Sequence, residues 1–243
     1  MSDFYTKVDQ VFADWNYQSP RIIHSLLRAL KPEVHVVCGM YRGLCTAWAA
    51  QAMRENGSGR VIGLDNFSLT EHVDRYGDPR AHLQANLDAL GVSDLVEIRQ
   101  GETSDPAMWP EKVDSCYVDA WHSYISANHD FSMAYRRGAK LICFDDTENC
   151  VGPRMLVDEL KDSIMADEFD ILDLHSDNGL TIFLRKQPRR LITFSQELPP
   201  PCVGVDLRPL TLEQQKEHFD SAAAITGLDY SGILNQTEHD LKV

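Results

Sequence analysis

VHVVCGMYRGLCTAWAA, residues 34–50, reads as a buried strand, a glycine turn and the opening of a helix. The run Val34 to Gly39 is apolar apart from one histidine, Gly43 follows in the pattern G-x-x-x-G, and a helix candidate extends from Thr46 to Glu55. Gly39 and Gly43 let the backbone turn tightly and come close to a ligand, and the helix that follows aims free N–H groups and its positive end at any bound anion. A dinucleotide fingerprint needs G-x-G-x-x-G, so NAD is disfavoured. By itself the stretch fits a ligand-free strand-to-helix turn equally well.

Outward from it the pattern repeats. Short apolar runs continue at Arg60 to Asp65, Leu95 to Gly101, Ser115 to Asp119, Ala139 to Asp146, Phe169 to His175 and Leu180 to Lys186. Helix candidates alternate with them at Pro79 to Leu90, Tyr124 to Arg137 and Pro153 to Ile164, where Leu156, Leu160 and Ile164 stack at helical spacing. This alternation predicts an α/β, Rossmann-like, doubly wound seven-stranded sheet, mostly parallel, whose last two strands form an antiparallel hairpin across the turn sequence SDNG. Residues 1–33 carry two helical stretches, as a lid or as packing; 34–186 form the core domain; 187–243 are a C-terminal extension containing a helix candidate, Leu212 to Ile225.

The chain of 243 residues has a formal net charge of −14, which argues against a nucleic-acid partner, because phosphate backbones are gripped by Lys and Arg. No stretch is long and apolar enough to span a membrane, and the start lacks the cationic-then-apolar pattern of a leader. Six cysteines without a C-x-x-C pair, three of them inside apolar runs, point to a reducing cytoplasm. A small-molecule substrate and a homo-oligomer are expected.

Ligands of open parallel sheets bind outside the carboxyl ends of the strands. There Asp65, with Asn66 beside it, can accept both hydroxyls of a ribose or cap a turn. Glu102 and Thr103 border an adenine or form a plain loop. Asp119 ends the fourth run in YVDAWHSY, and CFDDTEN ends the fifth with Asp145 and Asp146. Three carboxylates at one rim repel one another, and a hard divalent cation such as Mg2+ removes the conflict. Successive strand residues face opposite sides, so Asp145 and Asp146 reach one ion only if the chain turns between them. His122 is placed to take a proton or to brace the strand edge, and Trp121 and Tyr124 wall an acceptor or join the core.

The order G-x-x-x-G, acid after strand two, D-x-x-H-S-Y after strand four and an acidic pair followed by T-x-N after strand five resembles the class I S-adenosylmethionine-dependent methyltransferases. Within them the chain is similar to the metal-dependent small-molecule O-methyltransferases, in the branch with cephalosporin hydroxylase, C-7 methoxylation and macrolide sugar O-methyltransferase proteins. The resemblance covers roughly residues 34–186. It implies S-adenosylmethionine as cofactor, with Gly39, Tyr41 and Gly43 at its methionine part, Asp65 and Asn66 at the ribose, Glu102 and Thr103 at the adenine, and Asp119 on its border. It implies Mg2+ or another divalent cation on Asp119, Asp145 and Asp146, with Asp119 and His122 catalytic. The expected function is methylation of a hydroxyl on a natural product, sugar or similar acceptor of secondary metabolism. Val37 departs from the pattern, since many relatives carry an acid before the first glycine. A non-catalytic accessory subunit remains an alternative, as does a metal-dependent hydrolase or lyase, which the lack of H-E-x-x-H and G-x-S-x-G weakens.

Overall fold

The computed structural model describes residues 2–13, 18–175 and 178–186; the extension 187–243 with its helix candidate, and part of the SDNG turn, lie outside the described residues. Two helices come first, α1 (Ser2–Val11) and α2 (Ser19–Leu30). Then follow β1 (Val34–Cys38), α3 (Leu44–Asn56), β2 (Arg60–Asp65), α4 (Thr70–Tyr76), α5 (Pro79–Leu90), β3 (Val96–Gln100), β4 (Ser115–Val118), α6 (Tyr124–Arg136), β5 (Leu141–Phe144), α7 (Val151–Lys161), α8 (Met165–Glu168), β6 (Phe169–Leu174) and β7 (Leu180–Arg185). The strands form one sheet in the order β3-β2-β1-β4-β5-β7-β6, in which only β7 runs against its neighbours. This is the mostly parallel α/β fold that the alternating pattern predicts.

Helices cover both faces of the sheet, which is why its central runs are apolar throughout rather than alternating. Strand alternation sends Val37 and Tyr117 into one layer with Leu27, Trp48, Leu83 and Leu87. Val36, Cys38, Cys116 and Val118 go into the other, with Phe131, Phe144, Leu156 and Phe183. His35 and Ser115 are buried polar residues that satisfy each other: His35 Nδ1 lies 2.8 Å from the Ser115 hydroxyl, and burial lowers the imidazole pKa to about 3.

Pro20 supplies the first turn of α2, whose Ile23 and Leu27 are buried. The rings of Phe4, Tyr5 and His24 meet Trp48 of α3 edge-on, with centroids 5.3, 5.1 and 5.3 Å away. Arg28 and His24 reach Glu55 at 3.0 and 3.3 Å. The N-terminal helices thus pack into the core layer of the domain. One expectation fails in α7: Leu156 and Leu160 are buried, but Ile164 is 71% exposed. The helix ends at Lys161, so the four-residue spacing no longer returns Ile164 to the same face.

Register places the site. Cys38 pairs with Leu64 on one side and with Val118 on the other, and Val118 pairs with Phe144. The next residues, Gly39, Asp65, Asp119 and Asp145, therefore emerge along one edge. The strand order reverses between β1 and β4, the place where such folds open a crevice.

Candidate functional site

The first half of the crevice is built from backbone. Gly39 has φ +79°, and a Cβ there would stand 2.1 Å from the Asp119 carbonyl oxygen, so two strand ends touch where only glycine fits. Gly43 has φ +93°, but the atom that a Cβ would meet is Leu83 Cδ1 at 2.4 Å. Its left-handed backbone is what favours glycine, and it does not stand on the wall of the cleft. Tyr41 does, in the left-handed region at φ +47°.

Asp65 ties this loop to the next one. Its Oδ2 accepts from the backbone N–H groups of Met40 (2.7 Å) and Tyr41 (3.2 Å), and its Oδ1 from that of Phe67 (2.7 Å). A carboxylate has about four lone-pair sites, so roughly one remains. That is fewer than the two ribose hydroxyls the sequence assigns to it. A second acceptor stands on the same wall: Glu102, whose Oε1 accepts from Asn66 Nδ2 at 2.8 Å, while Asn66 Oδ1 accepts from the Ser68 N–H and hydroxyl at 2.9 Å each. Gly39, Tyr41, Asp65, Asn66, Glu102, Thr103 and Asp119 all line one cleft of about 120 Å³. Thr103 is buried, and its carbonyl accepts from the Trp109 indole at 2.8 Å.

The second half is built from side chains. A cavity of about 640 Å³ shares Tyr41, Leu69, Asp119, Ala120 and Trp121 with the cleft, and its wall adds Glu71, His122, Asp145 and Asp146. No Lys or Arg stands among the described residues that line it. Asp146 has φ +56°, the turn needed for two adjacent aspartates to face one space. Asp145 Oδ2 accepts from the hydroxyl of buried Tyr117 at 2.6 Å. His122 Nε2 lies 3.1 Å from Asp146 Oδ2 and 3.4 Å from Asp119 Oδ1, while its Nδ1 is 3.3 Å from Cys150 Sγ.

Crowding shifts the protons here. Burial, with the charges of Asp145 and Asp146 adding to it, pushes the Asp119 carboxyl up to about 8 against the opposing pull of His122. The hydrogen bond to Asp119 raises the His122 imidazole, helped by the nearby carboxylates. Three acids with no Lys or Arg among the described residues of their cavity wall suit a hard divalent ion in charge and in donor type. The chain spreads them, however: Asp145 turns to Tyr117 and Asp146 to His122. Among the described residues the donors lying within 4.8 Å of one another are those of His122, Asp146 and Cys150.

Several wall residues escape the sequence pattern. Leu69, Glu71 and His72 stand at or on the short α4, which carries no apolar stripe. Asn178 belongs to the hairpin tip, which reaches the acidic loop through the Glu148 N–H bonded to the Asn178 carbonyl at 2.9 Å. Cys150 sits four residues after Asp146, a spacing that carries no signal until the turn is known. Trp121 is on the wall, whereas the Tyr124 hydroxyl donates to Glu159 at 2.5 Å.

Residues 36–147 match a family described as a methyltransferase domain. Comparison with curated proteins finds no match. Among solved structures the chain is similar to the O-methyltransferase TomG from Streptomyces achromogenes, involved in tomaymycin synthesis and solved with SAM: TM-score 0.57, 16% identity, 76% of this chain and 90% of that one. It is also similar to an O-methyltransferase from Bacillus cereus in complex with SAH, with a TM-score of 0.56 at 16% identity over 74% and 91% of the two chains. A third is the SAH-bound methyltransferase PaMTH1 from Podospora anserina, at 0.55 and 16% over 76% and 88%. At these identities the likeness speaks for the fold.

Proposed function

We propose that this chain, which carries a methyltransferase domain in the class I fold, transfers the methyl group of S-adenosylmethionine to a hydroxyl of a small molecule. One observation carries the reading. A backbone-lined cleft at the switch point opens, through the shared residues Tyr41, Asp119 and Trp121, into an acidic cavity that holds a histidine. Neighbours with the same fold were solved with SAM or SAH, which supports that cofactor for this cleft.

In this reading Gly39 and Tyr41 border the methionine part, Asp65 takes one ribose hydroxyl, and Glu102 and Thr103 lie toward the adenine. Transfer from a sulfonium is an in-line displacement, so alignment of the acceptor oxygen, the methyl carbon and the leaving sulfur supplies most of the acceleration, up to about 7–11 kcal/mol. Trp121 and Leu69 stand on both walls and give the junction between the two spaces an apolar surface. The hydroxyl's proton passes to the Asp119–His122 pair, whose atoms lie 3.4 Å apart on the acceptor wall. His122 Nε2–H, bonded to that carboxylate, stabilises whichever oxygen holds the charge. Asp119, Asp145 and Asp146 would hold a divalent cation, which when bound neutralises their charge and makes the acceptor hydroxyl more acidic.

The test is calorimetric binding of S-adenosylmethionine followed by transfer of its labelled methyl group to simple vicinal diols, sugars and catechols. Binding with transfer to at least one hydroxyl is expected. Failure to bind the cofactor would sink the proposal.

A further inference from the structure

We infer that His122, Asp146 and Cys150 form a sulfur-containing cation site that takes a borderline-soft divalent ion of the zinc class and, in taking it, stops methyl transfer. The second half of this statement rests on the proposed function; the first does not.

The backbone brings the three donors together. The left-handed residue Asp146 turns the chain, the Cys150 N–H closes the turn on the Asp146 carbonyl at 2.9 Å, and Cys150 stands at the N-cap of α7. Gly152, in the first turn of that helix, lies against the loop that carries His122. A Cβ there would meet the His122 carbonyl oxygen at 2.3 Å and the Tyr124 nitrogen at 2.5 Å. Contact between two main chains therefore sets the separation of imidazole and thiol.

Cys150 Sγ lies 3.3 Å from His122 Nδ1, and one donor from each of the three residues lies within 4.8 Å of the others. Zinc bonds of about 2.0–2.3 Å in a tetrahedron set ligand atoms about 3.3–3.6 Å apart. The cluster thus needs at most about 1.5 Å of contraction. Three protein ligands leave the fourth position open to water.

The donor set selects the ion. A thiolate and an imidazole favour zinc, cobalt and their neighbours, while Mg2+ demands oxygen donors in near-octahedral order. Cys150 also differs from the other described cysteines: Cys38, Cys116 and Cys143 are buried in the sheet, and the Cys45 thiol donates to the Tyr117 hydroxyl at 3.5 Å. Cys150 and His122 are both open to solvent in part, so an ion can enter. Binding ties the His122 ring to the ion through Nδ1 and pulls Asp146 away from the carboxylates that face the acceptor. A thiophilic ion and the hard ion of the transfer reaction therefore compete through Asp146.

The decisive measurement is titration of the full-length protein with Co2+, without S-adenosylmethionine or acceptor, followed by near-ultraviolet absorption. Wild type should develop a thiolate-to-cobalt charge-transfer band with one equivalent, which Zn2+ abolishes and a large excess of Mg2+ does not. Cys150→Ser should lose the band and bind Co2+ about 10- to 100-fold more weakly, whereas Cys45→Ser should keep both. Absence of the band in wild type, or its persistence in Cys150→Ser, overturns the site. The band supports the site whether or not methyl transfer is detected. Where transfer is detected, one equivalent of Zn2+ should suppress most of it in wild type and far less in Cys150→Ser; equal residual fractions in the two overturn the inhibitory role.

Discussion

The two halves of the crevice are made differently. At the ends of β1, β2 and β3 the polar work is done by main chain: Asp65 accepts three backbone N–H groups and Gly39 lets two loops touch. At the ends of β4 and β5 it is done by side chains that face one another with unmatched charge, and Asp119 is pushed to about 8 as a result. A largely satisfied backbone net gives a fixed shape that suits a constant cofactor. A strained set of ionisable groups responds to whatever enters, which suits an acceptor, a proton or a metal ion.

Substitutions can break the contrast. Asp65→Ala should act on shape: it strands three backbone donors, and we expect about 3 kcal/mol lower stability in denaturant titration, with cofactor affinity lost alongside. If binding survived, the net would not be what shapes the cleft. His122→Ala should act on chemistry alone, lowering the transfer rate by about 10²- to 10⁴-fold while the cofactor dissociation constant measured by calorimetry stays unchanged. A parallel loss of affinity would merge the two halves.

Asp130 of α6 sharpens the comparison from beneath the cofactor side. It is buried, and burial pushes its carboxyl up to about 7. A carboxyl raised above its unfolded value binds a proton more tightly when folded. Its stabilising contribution is complete below about pH 4 and fades as pH climbs through about 7, by at most about 4 kcal/mol. Asp130→Asn should remove this slope and melt higher than wild type at pH 8. An unchanged melting-temperature profile would show that Asp130 is already ionised in the fold. Smallest of all, Tyr117→Phe withdraws one hydrogen bond from Asp145 and should cost about 1–2 kcal/mol in thermal unfolding with the sheet intact.

The framework was legible because periodicity survives burial. The strand runs match the observed β1 to β7 to within about two residues, and Pro79 to Leu90 coincides with α5. Turn geometry was not legible. The sequence shows two adjacent aspartates but not that Asp146 adopts a left-handed backbone, and it shows Asp65 but not that backbone donors take up most of its acceptor capacity. The helix α4 was missed since only His72 of its seven residues is buried, which leaves no stripe to read. Gly43 shows the same limit: the pattern marks a turn, but the left-handed backbone that favours glycine there, φ +93°, is seen only in the structure.

The antiparallel β7 lies between β5 and β6, and the tip it shares with β6 bonds to the loop holding Asp146 through the Thr147 and Glu148 N–H groups. As the chain leaves the ribosome, β5 is made some forty residues before the strand that covers its edge. Until Arg185 emerges, that edge offers a row of unpaired donors and acceptors to any neighbouring chain.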